Sequence, residues 1–353
     1  MRILLVGTGV QPIPPTGYGG VERTIAEFAA ALRAAGESVE VLNDAGHGRS
    51  WEEYRFAIGL PRRVRAAGAD VVHASTPVVA NRLALAGVPF VYTTHSRHWF
   101  EWRGVRQRFG RYLERRAVAR ATATIALTDR LAASIERQTR GRPPRRLVVI
   151  PIGVDTDRFR PAWDRRTGRR VLGVGVVRPF KRWELAARAL RGSGATLTIV
   201  GPTPDPAYAA RVRAAGEGVE LTGEIGDDAL AARFAEADLL IHPSRVELLA
   251  GAVLQGLAAG LPVLGADPIA SLLDPGRTGW TAAPGADDAD LETGLAREAH
   301  RLLGDAGARR AMGEAARRSA IDRFSWAKVV ADHRALYREL AAGPAGAGAA
   351  TRR

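Results

Sequence analysis

The sequence predicts an α/β protein built from two doubly wound parallel-sheet domains that face each other across a cleft. Three observations carry this. The chain has 353 residues, more than a single core comfortably holds. Short runs alternate with longer stretches of helical periodicity, and the runs are apolar throughout, as strands covered on both faces require. The alternation breaks once, at a polar stretch containing proline, and then starts again.

In chain order, the first half offers the strands RILLV, SVEVL, DVVHA, PFVYTT, TATIAL and RLVVIP. After the first strand, VERTIAEFAAALRAAG sets Ile25, Phe28, Ala29 and Leu32 at helical spacing and closes on Gly36 as a cap. The break is PIGVDTDRFRPAWDRRTGRR. The second half resumes with RRVLGVGVV, ATLTIVG, GVELTG, ADLLIHPS and LPVLGA, again with helical stretches between them. The expected domains are residues 1–160 and 161–325. A last helix over 326–341, WAKVVADHRALYREL, follows the second domain's helices, and residues 342–353 form a tail expected to be disordered.

Composition narrows the class. Hydrophobic residues make up 46% and charged residues 25%, the balance of a soluble protein. No apolar run approaches the ~20 residues of a membrane span, and the opening MRILLVGTGV does not read as a signal peptide. The chain has no cysteine, which excludes disulfides and thiolate metal sites and fits a cytoplasmic protein. The net charge of +14 suits nucleic acid, an anionic membrane surface or phosphorylated ligands. No zinc-finger spacing or basic-aromatic RNA motif is present, so nucleic acid is not an expected partner. Almost all the positive charge is arginine; the two lysines are Lys181 and Lys328.

Three stretches hold candidate chemistry. In PIPPTGYGGVER, the glycines Gly17, Gly19 and Gly20 lie between the first strand and its helix, where backbone N–H groups and the helix N-terminus can approach a phosphate or a sugar. A plain strand-to-helix turn is the alternative. In VVRPFKRWELAARAL, Arg178 and Lys181 sit between a strand end and a helix start, a cation pair suited to a diphosphate or, alternatively, to a solvated basic helix start. In IHPSRVELLAGAVLQGLAAGLPVLGA, Glu247 lies before a helix expected from about Leu249 to Ala259, and Gln255 is the polar residue within it. No convincing D-x-D stands at a strand end, and GADDADLE reads as a solvated acidic helix start.

Over nearly its whole length the chain resembles the family 4 glycosyltransferases, which have the GT-B fold of two Rossmann-like domains. The resemblance rests on GYGGVER, VIPIGVDTDRFRP, VRPFK and PSRVELLAGAVLQGLAAGLPVL, the last similar to the family's E-x7-E region. It implies a hexosyltransferase-type enzyme that needs no metal or other cofactor and moves a sugar, with retention, from a nucleotide-sugar donor, UDP- or GDP-linked. By the same resemblance, Arg178 and Lys181 would grip the donor's diphosphate and Glu247 would bond the donor sugar. The backbone at Leu249 and Ala250 would meet sugar or phosphate, and Gln255 would hold the ribose. Gly19 and Gly20 would lie against phosphate or acceptor. Gly223 to Ile225 would meet the nucleobase, and His95 would lie near the reacting sugar.

The chain also departs from the family. Gln255 stands where the family has its second glutamate. Asp267, Pro268 and Ser271 occupy a segment where a glycine pair and a glutamate are usual, and Ile152 replaces an asparagine. A sugar-nucleotide epimerase or hydrolase on the same scaffold, and a non-catalytic sugar- or partner-binding protein, are therefore alternatives. The acceptor, expected on the first domain, is a glycan, a lipid-linked glycan or a small molecule. Trp99, Phe100, Trp102, Phe109 and Tyr112 interleave with arginines. The favoured reading is a helix packed on the sheet by its aromatic face; the other is a peripheral contact with the inner face of the membrane.

Overall fold

Every apolar run becomes a parallel strand. The computed structural model describes residues 1–15, 19–44, 46, 50–95, 105–247 and 250–342, and structural statements below refer to these. The first sheet comprises β1 (Arg2–Val6), β2 (Ser38–Leu42), β3 (Val71–Ala74), β4 (Val91–Thr93), β5 (Ala123–Ala126) and β6 (Leu147–Val149), in the order β2-β1-β3-β4-β5-β6. Its helices are α1 (Gly20–Ala34), α2 (Ser50–Ala67), α3 (Pro77–Leu85), α4 (Val105–Arg120) and α5 (Asp129–Gln138). The second sheet comprises β7 (Arg170–Val174), β8 (Thr196–Val200), β9 (Val219–Gly223), β10 (Leu239–His242), β11 (Val263–Gly265) and β12 (Gly279–Thr281), in the order β12-β11-β10-β7-β8-β9. Around it lie α6 (Trp183–Ala189), α7 (Pro206–Ala214), α8 (Asp227–Glu236), α9 (Gly251–Ala258), α10 (Asp288–Gly304) and α11 (Ala306–Ser319). Both sheets are parallel throughout. Strand β12, only three residues long, has no apolar run to announce it.

The chain forms two compact units, Met1–Gly153 with Trp326–Arg353, and Val154–Ser325. The final helix, α12 (Trp326–Ala341), therefore belongs to the first unit although it follows the second in sequence. Its apolar face explains this. Val329, Val330, Leu336 and Tyr337 are buried with Ile3, Leu5, Ile25 and Phe28 of β1 and α1. Arg334 Nε donates to Glu37 Oε1 at 2.6 Å, and Arg146 forks onto Glu339, Nη2 to Oε2 at 2.8 Å. At the boundary, Val154 N–H donates to Phe324 O at 2.8 Å, so the outgoing and returning segments run side by side. Gly153 lies flat against Trp326, where a Cβ would stand 2.2 Å from the indole.

Helix α4 corrects the packing favoured from its sequence. Glu114, Ala117 and Val118 are the buried residues, and Phe109 and Tyr112 are 52% and 55% exposed, stacked on each other with centroids 6.5 Å apart. The reason is periodicity: both aromatics lie about half a helical turn away from Glu114. Glu114 ties the helix to the sheet by accepting from Tyr92 Oη at 2.8 Å and Thr94 Oγ1 at 3.1 Å. Trp99, Phe100 and Trp102 lie outside the described residues.

Candidate active site

In a parallel α/β sheet, ligands sit beyond the carboxyl ends of the strands. On the second sheet that edge collects the segments after β7, β9 and β10. Beyond β7 the chain passes Gly175, runs through a single 3₁₀ turn at Pro179–Lys181, and enters α6 through Arg182 in a left-handed conformation (φ 56°). Gly175 (φ 148°) leaves room for the lysine stem: a Cβ there would stand 3.2 Å from Lys181 Cε and 3.4 Å from Nζ. Lys181 is thereby buried, although it is a charged residue in a short turn.

Beyond β10 the segment His242–Glu247 folds onto that turn. Arg182 Nε donates to Pro243 O at 2.7 Å, and Arg245 N–H donates to Phe180 O at 2.8 Å. Asp288, in the first turn of α10, accepts from Arg182 Nη1 at 2.7 Å and from Arg245 Nη2 at 3.0 Å. The acidic stretch read as a solvated cap thus joins the frame through Asp288. Its capping role also stands: Asp287 Oδ1 accepts from the N–H groups of Ala289 and Asp290.

This clamp brings three side chains together. Glu247 Oε1 accepts from Lys181 Nζ and, at 2.7 Å, from His242 Nε2. Burial pushes the Glu247 carboxyl up, but the charge and hydrogen bonds of His242 and Lys181 outweigh it and hold the group ionised, well below the usual carboxylate range. Burial in turn lowers the pKa of His242, which is 2% exposed. The contact fixes a proton on Nε2, because the carboxylate facing it only accepts.

The remaining predicted residues of this unit lie on the same edge. Arg178 is exposed and makes no ion pair among the described residues. Ala250, left-handed at φ 40°, precedes α9, whose N-terminus carries no side-chain cap. Gln255 is half-buried one turn into that helix. Gly223 (φ 72°) ends β9 beside open space, and Ile225 follows half-buried. Leu249 lies outside the described residues. His242, Arg182 and Asp288 were missed in the sequence. The available signal was a polar residue closing the otherwise apolar run LLIH.

In the first unit, Gly20 opens α1 after uncapped Gly19. The space a Cβ would need at Gly19 is filled by Gln11 Oε1 at 2.8 Å and Pro15 Cβ at 3.0 Å, so packing within the loop is reason enough for glycine there. Gly17 is outside the described residues. His95, beyond β4, lines a pocket with Thr24, Phe28, His73, Ser75 and Trp326. Its Nδ1 is covered and has no hydrogen-bond partner, and burial lowers its pKa to about 4. His333, from α12, also lines the pocket, and burial brings it to about 4 as well. His73 bridges Tyr337 Oη at 2.5 Å and Thr93 Oγ1 at 2.7 Å. Among the described residues no group of three or more His, Asp or Glu side chains is placed to hold a metal ion, and no helix is long and apolar enough to cross a membrane.

With the two sheets and their rims in place, comparison assigns the class. A family model described as Glycosyltransferase Family 4 matches residues 18–158, and one described as Glycosyl transferases group 1 matches residues 170–305. The chain is a glycosyltransferase of this family 4 type, with the GT-B fold. It is 29% identical over 312 residues to an alpha-maltose-1-phosphate synthase of Mycobacterium tuberculosis, covering 78% of this chain and 81% of that protein. Among solved structures it resembles a sucrose-phosphate synthase from Thermosynechococcus elongatus (TM-score 0.79, 20% identity, 97% of this chain and 99% of that one). It also resembles Anabaena HepE in complex with UDP and glucose (TM-score 0.71, 18% identity, 96% of this chain and 100% of that one).

Proposed function

We propose that the chain moves a sugar from a nucleoside-diphosphate donor, UDP- or GDP-linked, to a glycan, lipid-linked or small-molecule acceptor, with retention and without a metal ion. The observation that carries this reading is the Lys181–Glu247–His242 cluster on the carboxyl edge of the second sheet, with the unpaired cation of Arg178 on the same edge. A diphosphate arriving there meets two cations, and its charge competes with Glu247 for the Lys181 ammonium. The ionised Glu247 accepts hydrogen bonds from sugar hydroxyls. As the bond from the anomeric carbon to the phosphate oxygen breaks, the electron pair stays on the diphosphate, where Arg178 and Lys181 stabilise it. The acceptor oxygen forms the new bond on the same face of the sugar and gives its proton to the departing phosphate oxygen.

The uncapped start of α9 at Ala250 offers N–H groups to sugar or phosphate. Gln255 and the backbone of Gly223 to Ile225 are the nucleoside contacts in this reading; Gly19, Gly20 and His95 serve the sugar or acceptor. The exposed Phe109–Tyr112 pair on an arginine-rich helix supports a peripheral contact with an anionic membrane face, and with it a cytoplasmic protein working at that surface. The UDP and glucose held by HepE, which shares this fold, are in keeping with a nucleotide-sugar donor.

A donor screen tests the reading. The protein is incubated with UDP- and GDP-sugars, with and without candidate acceptors, and products are read by mass spectrometry. Release of the nucleoside diphosphate together with a glycosylated acceptor is expected. Absence of calorimetric binding of UDP or GDP at millimolar concentration overturns it.

A further inference from the structure

Resting on that reading, we propose that His242 is a positioning residue: its Nε2–H anchors one oxygen of Glu247 and leaves the other, Oε2, to receive a hydroxyl of the donor sugar.

The argument begins with the strand. Leu239, Leu240 and Ile241 of β10 are fully buried, and an apolar fourth residue would fill the next position at no polar cost. His242 occupies it instead, 2% exposed. A carboxylate only accepts hydrogen bonds, so the proton in the 2.7 Å contact belongs to Nε2. The other ring nitrogen, Nδ1, is buried without a partner among the described residues. An unmet buried polar atom is a standing cost. Here it accompanies the hydrogen bond made by the other nitrogen.

The ring is also held in place. Trp183 stands edge-on to it, with centroids 6.5 Å apart and an interplanar angle of 88°. The indole Nε1–H of Trp183 donates in turn to Val176 O at 3.2 Å. His242 therefore transfers the rigidity of β10 and α6 to a carboxylate five residues further along the loop. Lys181 cannot fill this role alone, because in the proposed reaction it must also meet the diphosphate. His242 is the partner of Glu247 that stays in place when Lys181 turns to the donor. Both partners bind Oε1. Among the described residues Oε2 has no protein donor, which makes it the acceptor available to the sugar.

The test compares His242→Phe, which keeps a ring beside Trp183 but has no N–H, with His242→Gln, whose Nε2 can replace that of the imidazole. Turnover of the donor accepted by the wild type is measured across pH on the full chain, and UDP and GDP binding is measured by calorimetry. In His242→Phe, kcat/KM should fall roughly 10- to 100-fold, the range for losing a hydrogen bond to a charged group, while nucleoside-diphosphate affinity is kept. Its acid limb should lie at higher pH than that of the wild type, because Glu247 has lost a partner that favours its ionised form. His242→Gln should recover most of the rate and move the limb back. Equal turnover and equal pH profiles for wild type and His242→Phe overturn the assignment alone. So does a His242→Gln variant that folds normally but performs no better than His242→Phe. A wild type that turns over no sugar nucleotide overturns the functional reading and this assignment with it.

Discussion

Both units bury histidine, and they do so in opposite surroundings. In the second unit, His242 meets an ionised carboxylate that in turn holds an ammonium. In the first, His73 meets two hydroxyls, His333 donates from Nδ1 to the Val329 carbonyl at 2.8 Å, and His95 keeps a covered nitrogen without a partner. Burial lowers the pKa in every case. Among the described residues, only in the second unit does the ring hydrogen-bond to a charged side chain. The contrast separates two uses of one side chain: packing and structural hydrogen bonds at His73 and His333, and a handle on a charged group at His242.

The largest expected effect is on acid stability. His95 and His333 have folded pKa values near 4 against an ordinary 6.5, so the unfolded chain binds more protons between these values. Stability from these groups is fully present above about pH 6.5 and is lost as pH falls to about 4, by up to about 3 kcal/mol each. Urea unfolding followed across that range in a His95→Phe/His333→Phe double variant should show a shallower fall than the wild type. An unchanged slope breaks the contrast.

Next in size is His73→Leu, which strands the hydroxyls of Tyr337 and Thr93 in the core and should cost about 2–4 kcal/mol of unfolding free energy. UDP or GDP binding at 25 °C should be unaffected. Loss of both together would mean that the two units do not divide the work as described.

Lys181→Ala comes third. Affinity for UDP or GDP should drop roughly 10- to 100-fold, while affinity for the bare nucleoside is spared. Equal losses measured by calorimetry would remove Lys181 from the diphosphate. The smallest effect belongs to Gln255→Glu. A carboxylate binds ribose hydroxyls more strongly than an amide, so donor affinity should hold or rise by less than about tenfold. A collapse of binding would show that this position requires a neutral group.

How far the sequence reveals all this depends on distance along the chain. The inner strands were legible because a parallel sheet covered on both faces needs apolar runs, whereas the edge strands β2 and β9 carry the exposed Glu40 and Glu220. Lys181 stood out as one of two lysines among many arginines, and Glu247 by its place before a helix. Arg182, His242 and Asp288 carried no comparable mark. Arg182 and Asp288 lie 106 residues apart and only the folded clamp brings them together, while His242 meets its partner five residues on only through the turn of the loop. The aromatics of α4 misled for a simpler reason. The inward face of that helix is defined by Glu114, Ala117 and Val118, a set containing a carboxylate that accepts hydrogen bonds from Tyr92 and Thr94 in the interior.

The return of α12 to the first unit has a consequence for biosynthesis. During translation, the stretch from Val154 to Ser325 emerges whole and can fold as it appears, as domains generally do. The first unit cannot: His73 waits for Tyr337, Glu37 for Arg334 and Arg146 for Glu339, all on α12, which is made after the whole of the second unit. The first unit is thus completed only after the second, and a nascent chain stalled before Trp326 would carry a finished second unit and an unsealed first one.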